Sequence, residues 1–447
     1  MIVRFTVENF RSIDDPIELS FEAETGIKDM GNDGFTLSAG KRILNTTAFF
    51  GANASGKSNV FKAVGMMRAM IIKSVRLNDN ERLPYDPFLL SDKEPRATRF
   101  EMEFVCGTDK YRYGFSYTER KIEEEWLEAK WPRRSAKMLF KRVADEIKID
   151  DANYPEGTTV KNSGATLNNN RLFLSLAAQM GGEISKKVIE WFRTTLNVIS
   201  GLRDEDFSRF TKEALHRNSF YKNDILRLIC SMDVGFGEVT TVQEEFDERT
   251  LPKALPAELV EALKENPMIT AYARHNKYNA AGEPVGTVNF DIDEKESDGT
   301  KKLFNLAGPI IDTLKKGKVL FIDELDSQLH PLMSRRIVEI FNKGSVNEHG
   351  AQLVFTTHDT TMLSKKLLRR DQVVFVKKDA IHYATRLTPM MSITLGNGAK
   401  PRTDSNYEKN YLEGKYEAVP VFPTDFEGCV DVDDLREEIY ENMTTDS

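Results

Sequence analysis

The stretch GANASGKS, Gly51 to Ser58, constrains this chain more than any other. The apolar run TTAFF (46–50) precedes it and a helical pattern to about Lys73 follows it. It fits G-x-x-x-x-G-K-[ST] with the strand and helix flanks that the pattern requires. Glycines let the backbone wrap closely, so that successive N–H groups face phosphate oxygens. The helix start adds its positive end. Gly51, Asn53, Ala54, Ser55, Gly56, Lys57 and Ser58 are therefore the candidate ATP contacts. Lys57 is expected to reach the outer phosphates and the Ser58 hydroxyl to bind magnesium.

A second stretch, VLFIDELD (319–326), runs four apolar residues directly into acids. Neighbouring carboxylates at the exit of a buried strand are costly unless a cation meets them. A magnesium-bound triphosphate supplies one. Asp323 is expected to hold Mg²⁺ through water and Glu324 to polarise the attacking water. Both would emerge at the carboxyl end of a parallel strand, where α/β sheets bind ligands.

Around these motifs the pattern alternates. Strands are expected at 1–7, 17–21, RFEMEF (99–104), YRYGFSY (111–117) and IEEEWLEAKW (122–131), the last three with one wet face. Helices are expected at 168–196, 204–232 and 256–265, then strands at 269–278 and 288–293. A helix over 299–315, a strand at 319–323, a helix near 332–343 and QLVFTTH (352–358) follow. VVFVKK (373–378) and IHYATR (381–386) close the order. The expected fold class is α/β, a P-loop ATPase head with a mixed sheet and an antiparallel β lobe, interrupted by a mainly helical insertion. The expected divisions are 1–165 (first half of the head), 166–268 (insertion), 269–396 (second half) and 397–447 (tail).

The net charge of −8 argues against a chain coated in nucleic-acid-binding base. Cys106, Cys230 and Cys429 show neither zinc spacing nor an even disulfide set. MIVRFTVENF alternates like a strand and lacks signal-peptide order, and no apolar run approaches the length of a membrane span, the nearest being VGMMRAMII (64–72). A soluble cytoplasmic protein with no membrane partner is expected.

The phosphate loop and the paired acids lie more than half the chain apart. In this the chain resembles ABC-type ATPases of the chromosome-maintenance and recombinational-repair group. IVRFTVENFRSI resembles that group's first strand and nominates Arg11 as a nucleotide contact. GKSN is also characteristic, and the resemblance implies Asn59 as a further ATP contact. ESDGTKKLF (296–304) resembles a divergent ABC signature, implying that Ser297 and Gly299 touch the γ-phosphate held by a second copy. LDSQLHP (325–331) resembles the D-loop, with Asp326 at the dimer interface. FTTHD places His358 like the γ-phosphate-sensing switch histidine, so the implied catalytic set is Glu324, His358 and Lys57. No glutamine lies between the phosphate loop and Gln179, so the Q-loop contact is unassigned; YDPFLLSD (85–92) occupies its place. The divergent signature and the missing glutamine imply slow hydrolysis, suited to a switch.

ESDGT, RLFLSLAAQ (171–179) and KNYLEGKYEAVPVF (409–422) resemble the bacterial abortive-infection, RloA-like ATPases, a group including the ATPase subunit of the PARIS antiphage system. That resemblance implies ATP and Mg²⁺ as cofactors and a homo-oligomer. It also implies an effector encoded nearby, commonly a nuclease, and a phage trigger. The alternative is a DNA-repair ATPase that clamps DNA, for which WPRRSAKMLFKR (131–142) and KKVIEWFR (186–193) are candidate basic patches. An intrinsic nuclease is not expected: little chain follows His358, and DVDD (431–434) reads as a solvated acidic tail.

Overall fold

Three strands without a polar outward face set the centre of the molecule. Thr46–Phe50, Val319–Ile322 and Gln352–Thr356 are buried at every residue, the pattern of parallel strands covered on both sides. The computed structural model describes residues 1–419 apart from 28, 31–32, 79–80, 92–95, 164–166, 200–204, 218, 244–267, 395–399 and 402–404. In it these strands belong to a six-stranded sheet ordered Leu196–Ile199, Val319–Ile322, Gln352–Thr356, Thr46–Phe50, Val373–Lys378, Thr385–Pro389. Every neighbouring pair is parallel except the last, an antiparallel hairpin.

Because strand side chains alternate in direction, this sheet divides two cores. Phe49, Phe321 and Val354 face one side, where they join Val60, Phe61, Val64 and Met67 of the helix Lys57–Lys73. Phe61 packs edge-on against both Phe49 and Phe321, at 5.5 and 5.2 Å. One helix residue thus locks the two motif-bearing strands together. Ala48, Phe50, Leu320, Ile322, Leu353 and Phe355 face the opposite side. There they meet Leu303, Phe304 and Ile310 of the helix Asp298–Lys316 and Ile337, Val338 and Phe341 of the helix Pro331–Asn342.

The first core is closed by a seven-stranded antiparallel sheet, ordered Glu146–Ile149, Lys137–Val143, Ile122–Lys130, Asp109–Tyr117, Thr98–Cys106, Ile2–Glu8, Ile17–Ser20. Its buried Glu125 fastens the following segment to this lobe. The carboxylate accepts from the Phe173 and Leu174 amides at 2.6 and 2.9 Å and from the Tyr113 hydroxyl at 2.9 Å. Burial pushes this carboxyl above its usual range, while the Arg142 charge and these donors pull it back.

The mixed α/β class with an antiparallel lobe is what the structure shows, and most expected elements are present. Some differ. The single helix expected over 168–196 is broken: Phe173–Gln179 and Glu183–Glu190 are separated at Gly181, whose φ is 102°. A π turn over Trp191–Thr195 then leads into the strand Leu196–Ile199. Thr194 and Thr195 are poor helix formers, and the strand finds a parallel partner in Val319–Ile322. The segment expected to be a helical insertion therefore contributes an edge strand to the central sheet, and a further strand, Glu238–Gln243, pairs with Ile269–Tyr278.

The last strand starts at Thr385, not near 381. The Asp379 carboxylate accepts from the Ile381 and His382 amides, holding that stretch as a turn. The hairpin Phe35–Ser38 with Lys41–Leu44, and the strands Lys137–Val143 and Glu146–Ile149, were not anticipated. The helix expected at 256–265 and the acidic DVDD lie outside the described residues. No helix among the described residues is long and apolar enough to cross a membrane.

Candidate functional site

The carboxyl ends of three adjacent strands set the site. Backbone bonds align the chain beyond them: Asp323 N–H donates to the Ile199 carbonyl at 2.9 Å, Leu325 N–H to Thr356 at 3.0 Å and Thr357 N–H to Phe49 at 3.1 Å. The phosphate loop leaves Phe50 and turns into the helix Lys57–Lys73 through Gly56, whose φ of 104° is left-handed. Only glycine adopts that geometry without strain, and a Cβ there would collide with Thr385 Oγ1. A Cβ on Gly51 would collide with the Val376 carbonyl.

A polar clamp holds the back of the loop. Ser12 Oγ and Thr385 Oγ1 are 2.7 Å apart, Asn59 Nδ2 donates to Ser12 Oγ at 2.7 Å, and Thr385 Oγ1 donates to the Ser55 carbonyl at 3.0 Å. The front of the loop faces a cavity of about 440 Å³ lined by residues 53–59, Glu324 and His358. Lys57 is buried, and its Nζ donates to the Gly51 and Ala52 carbonyls at 2.8 and 3.0 Å. Burial pulls this ammonium below the ordinary lysine range, and Asp323, Glu324 and Asp326 push it back up. A cation and three carboxylates thus share one sheet end.

Each acid is held differently. Half-buried Asp323 accepts from Thr356 Oγ1 at 2.7 Å through Oδ1. Exposed Glu324 has φ 54°, its N–H donates to the same Thr356 oxygen at 2.7 Å, and its carbonyl accepts from Lys302 Nζ at 2.9 Å. Asp326 Oδ2 accepts from the His358 amide at 3.0 Å.

Two sequence-nominated regions lie apart from the cavity. Exposed Ser297 caps the helix Asp298–Lys316, its Oγ accepting from the Thr300 amide at 3.3 Å. Gly299 abuts the 324–330 turn so closely that a Cβ would sit 2.7 Å from the Gln328 carbonyl. Neither lines the cavity of its own chain. Arg11 also stays outside the lining, with Nε paired to Asp86 at 2.7 Å. Asp86 belongs to YDPFLLSD, which is anchored further by the Phe88 amide on Asn9 Oδ1 at 3.1 Å.

The two basic stretches lose most of their aromatics to the core, and Trp131 alone among them stays partly exposed. Phe140 and Arg142 are buried, as are Trp191 and Phe192. Arg133, Arg134, Lys137 and Lys141 remain exposed, while Lys187 is paired with Asp109 and Arg193 with Glu190. Of the aromatics in these stretches, Trp131 is the one left with exposed surface on which a base could stack.

Thr356, Lys302, Ser12 and Thr385 were not singled out from sequence. Thr356 lies within FTTHD, but spacing does not reveal which threonine turns toward the acids. Ser12 and Thr385 meet because the turn after the first strand docks on the last one, the Thr385 amide donating to the Ser12 carbonyl at 2.7 Å.

The residues fit a magnesium-bound triphosphate. Among the described residues, buried Ser55 Oγ and Asp326 Oδ1 have no hydrogen-bond partner, and the open space lies in the cavity in front of the loop. Ser58 and Asp323 would hold the ion, which would neutralise phosphate charge.

No curated protein matches the chain. Among solved structures it is similar to an Smc head bound to the C-winged helix domain of ScpA, at 13% identity and TM-score 0.41, covering 87% of this chain and 96% of that one. It is also similar to the recombination mediator protein RecF with ATP, at 13% identity and TM-score 0.31, covering 87% and 97%. RecF with ATPrS follows at 12% and 0.28, covering 84% and 95%. The family described as "AAA domain, putative AbiEii toxin, Type IV TA system" matches residues 46–364. That match spans most of the chain and takes in the phosphate loop, the paired acids and His358, and the chain belongs to this AbiEii-type AAA family.

Proposed function

We propose that the chain is a slow, ATP-hydrolysing switch of the ABC type in an abortive-infection defence system, restraining or releasing a partner effector, a nuclease. The observation that carries the ATPase reading is the single cavity onto which Lys57, Ser58, Glu324 and His358 open. In the proposed reaction Lys57 exchanges its loop carbonyls for phosphate oxygens. Glu324 orients a water and takes its proton as the water attacks, and His358 contacts the γ-phosphate. Bound magnesium would stabilise charge on the phosphate oxygens.

Ser297 supports a two-copy arrangement. It is exposed at a helix N-terminus yet does not line its own cavity, which suits contact with the γ-phosphate bound by a second copy. ATP then joins two heads, Asp326 lies at their junction, and hydrolysis loosens them. The defence role rests on the family's toxin–antitoxin description and on the RloA-like segments. Its test is a phage challenge of cells carrying the chain with its neighbouring reading frame. Protection is expected with the wild type and is expected to be lost with Lys57→Ala. Equal plaque counts with and without the wild-type pair would contradict the defence role.

A further inference from the structure

The peptide around Glu324 is gripped by two side chains that the reading above does not use. Glu324 is a non-glycine residue with φ 54°, a left-handed conformation that needs support from its surroundings. Its N–H donates to Thr356 Oγ1 at 2.7 Å, and its carbonyl accepts from Lys302 Nζ at 2.9 Å. Thr356 is fully buried at the end of the strand Gln352–Thr356, and Lys302 is buried one turn into the helix that Ser297 caps.

We infer that Thr356 and Lys302 are positioning residues that hold Glu324 in this conformation and orient Asp323. The inference rests on the ATPase reading above. A hydroxyl has one proton. The Glu324 amide is itself a donor, so the Thr356 proton must go to Asp323 Oδ1, 2.7 Å away. One hydroxyl thereby fixes both acids: it occupies Oδ1 of Asp323, leaves Oδ2 for the metal's water shell, and sets the backbone from which Glu324 projects. Lys302 adds a link between the Ser297 helix and Glu324. When a second copy's phosphate engages Ser297, the same helix bears on the general base of its own chain.

Thr356→Val removes the hydroxyl and keeps the shape. It is expected to lower kcat by roughly 10- to 100-fold and to raise the Mg²⁺ needed for half-maximal binding of a non-cleavable ATP analogue by a similar factor. Metal-free nucleotide affinity should change by less than about twofold, since the phosphate loop is untouched. Thr356→Ser, which keeps the oxygen, should recover most of both losses. Lys302→Met removes the bond to the Glu324 carbonyl and should lower kcat. A Thr356→Val protein with wild-type kcat and Mg²⁺ requirement would overturn the inference, as would a serine variant as defective as valine. If the wild type binds Mg²⁺ and nucleotide but does not hydrolyse ATP, the ATPase reading fails. The Mg²⁺ titration of Thr356→Val still decides whether Thr356 orients Asp323.

Discussion

Glu324→Gln is expected to bind ATP as the wild type does and to hydrolyse it about 10²- to 10⁴-fold more slowly, the range a positioned general base contributes. The substitution leaves the backbone grip intact, because Thr356 and Lys302 hold the amide and carbonyl of residue 324 and not its carboxylate. The side chain is exposed on the cavity wall, so an amide fits where the acid stood. Only basicity is lost. With the γ-phosphate retained, the paired state should accumulate, visible as a doubled mass by light scattering when ATP is added. Normal turnover by Glu324→Gln would place the base elsewhere.

Lys57→Ala should weaken ATP binding by roughly 10- to 100-fold, the equivalent of losing one charge-assisted hydrogen bond of about 1.5–3 kcal/mol. Lys57 also bonds the Gly51 and Ala52 carbonyls, so the substitution removes an internal brace of the loop as well as the cation. Titration with a fluorescent ATP analogue measures the first effect. A melting curve without nucleotide separates the second. Wild-type affinity in Lys57→Ala would mean that the triphosphate does not reach this loop.

The phosphate loop and the acids are legible in the sequence because each is a contiguous stretch whose neighbours declare its context. TTAFF and VLFI have no polar alternation, which marks them as central parallel strands, and glycines fix the turn between strand and helix. The supporting contacts are not legible, since they join distant parts of the chain. Ser12 and Thr385 brace the loop from opposite ends of the sequence. Thr356 serves Asp323 and Glu324 from a different strand. The edge strand Leu196–Ile199 was hidden for another reason: four residues after a helical pattern carry too little periodicity to separate strand from helix. The basic patches show the reverse error. Phe140, Trp191 and Phe192 follow lysines and arginines in sequence, but strand alternation and helix packing turn them into the core.

The sharing of each nucleotide between two copies is tested most directly by mixing two inactive chains, Lys57→Ala and Ser297→Arg, in equal amounts. Ser297 is an exposed cap, so arginine there should cost only about 1 kcal/mol of stability. If each site combines one copy's phosphate loop with the other's Ser297, a mixed pair contains one intact site, and ATPase activity should return to about a quarter of the wild-type rate. If each chain completes its own site, no mixed pair contains a working one. Activity that stays at the level of the separate variants would contradict the two-copy site.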